Sequence, residues 1–248
     1  MSKNAHEALP VRTPALEPVM LQTEPDPLEI DLKRTAVVVV DMQNAFVSNG
    51  GMFDLWGINV SRNQKIIEPI KRLINAAQTR GLKVIHIAHQ YSPDLHDSGG
   101  PNSPNWYQRM LKSYRERPEW RDKLLFRGTW GADTIEELKP QEGDIFVIKP
   151  KYSAFFSTNL DIILKTYDIK YLLFTGVATN ICVEASIRDA YYLDYFPTLV
   201  SDAAMNLGPP STQEATIFNV QACYGWVTTT KNIVKAMEQP VKVAARLT

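Results

Sequence analysis

A run of four consecutive valines constrains this chain most. Ala36-Val-Val-Val-Val40 is β-branched and apolar throughout, flanked by Thr35 and ended by Asp41. Four β-branched residues in a row favour a pleated strand over a helix, because each is stiff at its first side-chain torsion. A run with no polar alternation needs cover on both faces, which points to a buried strand of a parallel sheet. The carboxylate that closes it then falls at the carboxyl end of that strand.

The segments that follow keep the same rhythm. Residues 61–80 carry Ile66, Ile67, Ile70, Leu73, Ile74 and Ala77 at helical spacing, and Gly81 is a natural C-terminal cap. Lys83-Val-Ile-His-Ile87 reads as a second strand. Further strands are expected at Asp144–Ile148 running into Lys149, at Tyr171–Thr175 running into Gly176, at Pro197–Val200, and at Trp226–Thr229. Helices are expected over 159–166, 181–192, 211–223 and 231–237. Alternating strands and helices predict an α/β fold, a three-layer sandwich with a mostly parallel central sheet and helices on both faces.

Two stretches stand outside that rhythm. Residues 1–29 are rich in Pro and Glu, with Pro10, Pro14, Pro18, Pro25 and Pro27, and read as a flexible N-terminal arm. Residues 30–248 then form a single domain. Within it, about 89–131 is an insertion with Gly99-Gly-Pro101 and the aromatics Trp106, Tyr107, Tyr114, Trp120 and Trp130. Long insertions of this kind often act as lids or binding loops.

Bulk properties narrow the function class. Lys+Arg and Asp+Glu both total 27, so the formal charge is zero and nothing marks a nucleic-acid footprint. No apolar run approaches the roughly 18 residues a membrane span needs, and no secretory signal pattern opens the chain. The two cysteines, Cys182 and Cys223, do not make a disulfide framework. A free thiol suits a reducing compartment, so the expected location is cytoplasmic. A small-molecule substrate is the expected partner.

In an open α/β sheet, ligands bind outside the carboxyl ends of the strands. Asp41, Lys149 and the turn leading to Cys182 all fall at that edge. Cys182 follows Thr175-Gly-Val-Ala-Thr-Asn180 and begins a helix. There, free N–H groups and the helix dipole are expected to depress the thiol pKa and to stabilise an oxyanion. Lysine is costly to bury alone, and near the sulfur its ammonium would support developing negative charge; by position alone, Lys151 is an equal candidate. A carboxylate beside a thiol can take its proton and return it to a leaving nitrogen. Ordinary alternatives exist for each: a small buried hydrophobe, a solvated strand-end lysine, a turn aspartate. A Cys–His pair using His86 or His89 competes, and His89, Asp94 and His96 offer an irregular metal set. Cys223 reads as structural.

Val38-Val-Val-Asp41-Met-Gln-Asn44, Lys149-Pro150 and Thr175-Gly-Val-Ala-Thr-Asn-Ile-Cys182 resemble the cysteine hydrolases of the isochorismatase-like superfamily, from about Ile30 to Met237. Gly99-Gly-Pro-Asn-Ser-Pro-Asn105, Gly143-Asp-Ile, Lys149-Pro-Lys-Tyr-Ser-Ala-Phe-Phe156 and Tyr195-Phe196 are similar to its ureidoacrylate amidohydrolases of pyrimidine degradation. The resemblance implies Cys182 as nucleophile, Asp41 as proton-transfer group and Lys149 as electrostatic support. It also implies a cis peptide between Val177 and Ala178, and an oxyanion hole from the backbone N–H groups of Ala178 and Cys182.

The implied reaction is hydrolysis of a C–N bond in a small ureide through a covalent cysteine intermediate. Another small amide, such as biuret or an N-carbamoyl amino acid, and a non-catalytic binding protein on the same fold are the alternatives. Gln90 and Ser92 stand where metal-binding relatives carry an Asp-x-His pair, so no metal and no cofactor is expected. The expected substrate-binding residues are Asn44, Phe46, His89, Asn105, Trp130, Tyr152 and Phe156. Phe46 and His89 depart from the tyrosine and asparagine expected there. A homo-oligomer is also implied.

Overall fold

The computed structural model describes residues 16–239. Its centre is a six-stranded, all-parallel sheet, built from β3 (Thr35–Val40), β4 (Lys83–His89), β5 (Ile145–Lys149), β6 (Tyr171–Val177), β7 (Phe196–Met205) and β8 (Trp226–Thr228), in the spatial order β5-β4-β3-β6-β7-β8. The valine run is β3, buried at every position and hydrogen-bonded on both sides, to β4 and β6. Val37 and Val39 face one core, and Ala36, Val38 and Val40 the other. Burying four valines contributes on the order of 6–12 kcal/mol as an upper estimate.

Helices cover both faces, so the predicted three-layer α/β sandwich is the observed one. One face carries α1 (Ile67–Thr79) and α6 (Thr230–Met237), and the insertion supplies α2 (Arg109–Glu116). The other face carries α3 (Leu160–Thr166), α4 (Glu184–Tyr192) and α5 (Pro210–Asn219). Among the described residues, no helix is long and apolar enough to cross a membrane.

Several boundaries differ from the sequence reading. The helix expected over 61–80 is two pieces, Ser61–Gln64 and α1. Pro69 has no N–H and fits only the first turn of a helix, so a new helix starts at Ile67. Strand β7 runs on to Met205 past Ser201 and Asp202, which have polar work to do. Ser201 donates to the Thr228 carbonyl (3.0 Å), and Asp202 accepts from the Thr230 N–H (2.8 Å) at the start of α6.

The arm expected over residues 1–29 is corrected in its second half. Residues 1–15 lie outside the described residues. From Pro18 the chain is folded, with β1 (Pro18–Leu21) pairing antiparallel with β2 (Leu28–Asp31). Val19, Leu21 and Ile30 are buried against the α1 and α6 face, which a proline count alone hides. Glu24 then makes an antiparallel bridge to Val227 on β8, with N–H···O distances of 2.8 and 2.9 Å.

Candidate active site

β3, β5 and β6 all end at the same rim, and each delivers one piece of the site. Asp41 follows β3 with its N–H still donating to the Ile87 carbonyl (2.8 Å). Its φ of 53° is left-handed, a conformation that Asp tolerates better than most residues. Oδ1 accepts from the His89 N–H at 2.9 Å, which fixes the carboxylate plane. Lys149 is the last residue of β5, and its side chain is fully buried.

Gly176 lets β6 close on β3 just before Asp41. Its φ is +102°, and a Cβ there would lie 2.0 Å from the Val40 carbonyl oxygen. Only glycine allows that approach. The chain then passes through a cis Val177–Ala178 bond into a π-helical turn, Thr179–Val183, which leads into α4. Two side-chain clasps hold this turn. Asn180 exchanges hydrogen bonds with the Leu207 backbone (3.0 and 2.9 Å). Ser186 donates to the Cys182 carbonyl (2.6 Å) and accepts from the Ala154 N–H (2.9 Å), tying the Lys149 loop to the Cys182 turn.

The three side chains meet. Lys149 Nζ lies 2.9 Å from Asp41 Oδ2 and 3.4 Å from Cys182 Sγ, and donates to the Lys151 carbonyl at 3.1 Å. Of the two lysines, it is Lys149 whose ammonium touches Asp41 and Cys182, and Lys151 offers its backbone carbonyl as an acceptor. The Asp41–Lys149 contact is a fully buried ion pair, and Cys182 stands beside the same carboxylate, which can therefore accept the thiol proton.

The electrostatics correct one expectation. Burial pushes the Cys182 thiol up, and the Asp41 carboxylate adds to that, while Lys149 pulls the other way. Burial and the neighbouring carboxylate thus favour the thiol over the thiolate, opposite in direction to the depression expected from the helix start. Burial also raises the Asp41 carboxyl against the pull of Lys149, making it a stronger base than an ordinary carboxylate. Lys149 is raised despite its burial, because Asp41 and Cys182 favour its charge. His89 is pushed well below its usual value by burial and by Lys149, so its ring is neutral.

A cavity of about 160 Å³ opens onto Cys182 and Ala178. Of the expected substrate-binding residues, Phe46, His89, Asn105 and Tyr152 line it. His89 Nε2 lies 3.0 Å from the Tyr91 hydroxyl, which in turn exchanges hydrogen bonds with Asn105 (2.9 and 3.1 Å), forming a polar chain along one wall.

Asn44, Trp130 and Phe156 do not line this cavity. The Asn44 side chain clamps the loop instead, donating to the Trp130 carbonyl (2.9 Å) and accepting from Ser48 (2.8 Å). The Trp130 ring packs under the Lys123 ammonium at 4.4 Å. Phe156 lies in a turn beyond Tyr152 and is 61% exposed.

Sequence reasoning missed Phe53 and Trp56, which form a wall with Phe46, and Arg109 and Met110 from the insertion. The run Met52-Phe-Asp-Leu-Trp56 held the only signal, an apolar cluster in a short loop-like segment.

Asp41, His89 and Cys182 offer donor atoms within 4.8 Å of one another, the geometry of a metal set. The Lys149 ammonium already sits against two of those three groups, and a bound cation would meet a buried positive charge. The donor set therefore fits an ammonium better than a metal ion. The looser set read from sequence is not assembled, since His96 is exposed and pairs only with Asp94.

Fold and site together define an α/β cysteine hydrolase. The chain belongs to the Isochorismatase domain family, whose model matches residues 35–232. It is 44% identical over 213 residues to a ureidoacrylate amidohydrolase, RutB, of Caulobacter segnis, covering 86% of this chain and 89% of that protein. The structure is similar to that of a cysteine hydrolase from Pseudomonas syringae pv. phaseolicola, with 29% identity, a TM-score of 0.69, and coverage of 84% of this chain and 94% of that one. It is also similar to an N-carbamoylsarcosine amidase from Thermoplasma acidophilum, with 25% identity, a TM-score of 0.60, and coverage of 79% and 96%.

Proposed function

We propose that the protein hydrolyses a C–N bond of a small ureide of the ureidoacrylate kind, through a covalent intermediate on Cys182. The observation that carries this reading is the contact of a carboxylate, an ammonium and a thiol at the floor of a cavity. The ureidoacrylate amidohydrolase of Caulobacter segnis, 44% identical to this chain, supports the choice of substrate.

The chemistry follows from the charges. Cys182 begins as a neutral thiol, so attack on the ureido carbonyl requires its proton to move to Asp41 as the S–C bond forms. Lys149 holds the pair together and offsets the negative charge on the sulfur during transfer. The carbonyl oxygen becomes an oxyanion facing the backbone N–H groups of Ala178 and Cys182. Asp41 then passes its proton to the leaving nitrogen, and the C–N bond breaks to release aminoacrylate. A carbamoyl group remains on Cys182. Water, deprotonated by the same carboxylate, attacks it, frees the thiol and yields carbamate, which decays to ammonia and carbon dioxide. The His89–Tyr91–Asn105 chain offers neutral donors and acceptors for the ureide.

The test is ammonia release from ureidoacrylate, biuret and N-carbamoyl amino acids, with chelator present throughout, alongside intact-protein mass spectrometry. Ureidoacrylate is expected to turn over fastest, with a carbamoyl adduct that disappears in Cys182→Ala. Turnover that survives Cys182→Ala, or that the chelator abolishes, overturns the mechanism.

A further inference from the structure

The cavity walls carry one permanent charge. Burial pushes the Cys182 thiol and both lining tyrosines, Tyr91 and Tyr152, up and the His89 ring down, which favours the neutral form of each. Among the described residues, no carboxylate lines the cavity, and Lys149 is not in its wall. The remaining ionisable residue is Arg109, the first residue of α2.

Arg109 is also the end of a built wall. Phe46 and Phe53 meet edge to face at 4.9 Å, and Phe53 meets Trp56 at 5.8 Å. The Arg109 guanidinium lies over the Trp56 ring at 4.4 Å and donates through Nη2 to the Trp56 carbonyl at 3.1 Å. Trp56 is itself pinned, its Nε1–H donating to Ser113 Oγ at 3.0 Å. The wall therefore begins at buried Phe46 and ends at the exposed guanidinium. Among the described residues, Arg109 makes no ion pair with any carboxylate, so its charge is not already matched. A stacked guanidinium keeps its fork in one plane and leaves donors free, which is the geometry that suits a carboxylate.

We propose that Arg109 reads the anionic end of the substrate, limiting this site to amides and ureides that carry a carboxylate remote from the scissile C–N bond. The inference rests on the hydrolase reading above and deepens it. The ureido group sits over Cys182, a flat or apolar body lies along Phe46, Phe53 and Trp56, and the carboxylate meets the Arg109 fork. Neutral ureides of the same size lose that contact, and dianions meet only one cation.

The test compares ureidoacrylate with its methyl ester, in turnover by the intact protein and in calorimetric binding to the Cys182→Ala protein. The acid is expected to exceed the ester at least tenfold in kcat/KM and in affinity. Arg109→Gln is expected to collapse that ratio at least tenfold, mainly through KM, and Arg109→Lys to leave an intermediate ratio, because it keeps the charge and loses the fork. If Arg109→Gln fails to fold, Arg109→Lys decides by the same ratio.

Equal handling of acid and ester by the unmodified protein, or an unchanged ratio in both variants, overturns the role of Arg109; ammonia release from either compound then leaves the hydrolase reading standing. Absence of turnover and adduct with both compounds sinks the hydrolase reading, and the binding ratio alone then decides the role of Arg109. Absence of binding by both sinks the two together.

Discussion

Lys149→Met isolates the buried ion pair. Both side chains are almost wholly out of water, at 0% and 1% exposure. Removing the ammonium leaves Asp41 as an uncompensated buried carboxylate, which costs about 3–5 kcal/mol. At about 2–4 °C per kcal/mol for a domain of this size, the melting temperature should fall by roughly 6–20 °C near neutral pH. Burial already raises the Asp41 carboxyl, and without Lys149 only the hydrogen bonds from His89 and Cys182 oppose it, so its pKa rises further in the variant.

The pH dependence then has a definite sign. Below the ordinary carboxylate pKa of about 3.9, Asp41 is protonated in both folded and unfolded chains, and the penalty vanishes. As pH rises, the unfolded chain ionises first, and the folded variant loses ground until its own raised pKa is passed. Thermal melts of wild type, Lys149→Met and Asp41→Asn/Lys149→Met at about pH 4.5 and about pH 7 measure this. The single variant should approach wild type at the acid end, and the neutralised double variant should melt above it near pH 7. An equal loss at both pH values, or a double variant no more stable than the single one, refutes the buried-charge reasoning.

Two further outcomes follow from the same geometry. Gly176→Ala should destabilise the fold by at least ~3 kcal/mol in urea titration, because the new Cβ would lie 2.0 Å from the Val40 carbonyl at a φ of +102°; a change under about 0.5 kcal/mol contradicts it. The acid limb of kcat/KM should lie above the ordinary carboxylate pKa, since Asp41 must be ionised to accept the thiol proton and burial raises it. A limb unmoved in the residual activity of Asp41→Asn assigns that titration elsewhere.

The fold was legible because its signal is periodic and local. The valine run, the spacing of Ile70, Leu73, Ile74 and Ala77, and the glycine after α1 all name elements without tertiary help. Asp41, Lys149 and Cys182 were legible because strand ends converge in this topology, and the structure brings all three into contact. What sequence could not supply is direction and balance. Asn44 and Phe46 are two residues apart, yet one clamps a loop and the other lines the cavity. Tyr152 and Phe156 share one turn and point differently. The sign of the thiol shift depends on how completely Cys182 is buried, which no local pattern records. Arg109 carries no local signal, because the ring beneath it, Trp56, lies 53 residues away in sequence.

The bridge from Glu24 to Val227 gives the proline-rich beginning of the chain an architectural duty. β8 is the last strand at its side of the sheet, and such a strand presents unmet amides and carbonyls that invite another chain to add on. Glu24 answers two of those groups locally, and a cis Pro25 lies directly after it, unable to donate any further rung. Weakening that bridge alone, with β1 left in place, would uncap an adhesive border, so the harm would show as clumping rather than as lost catalysis.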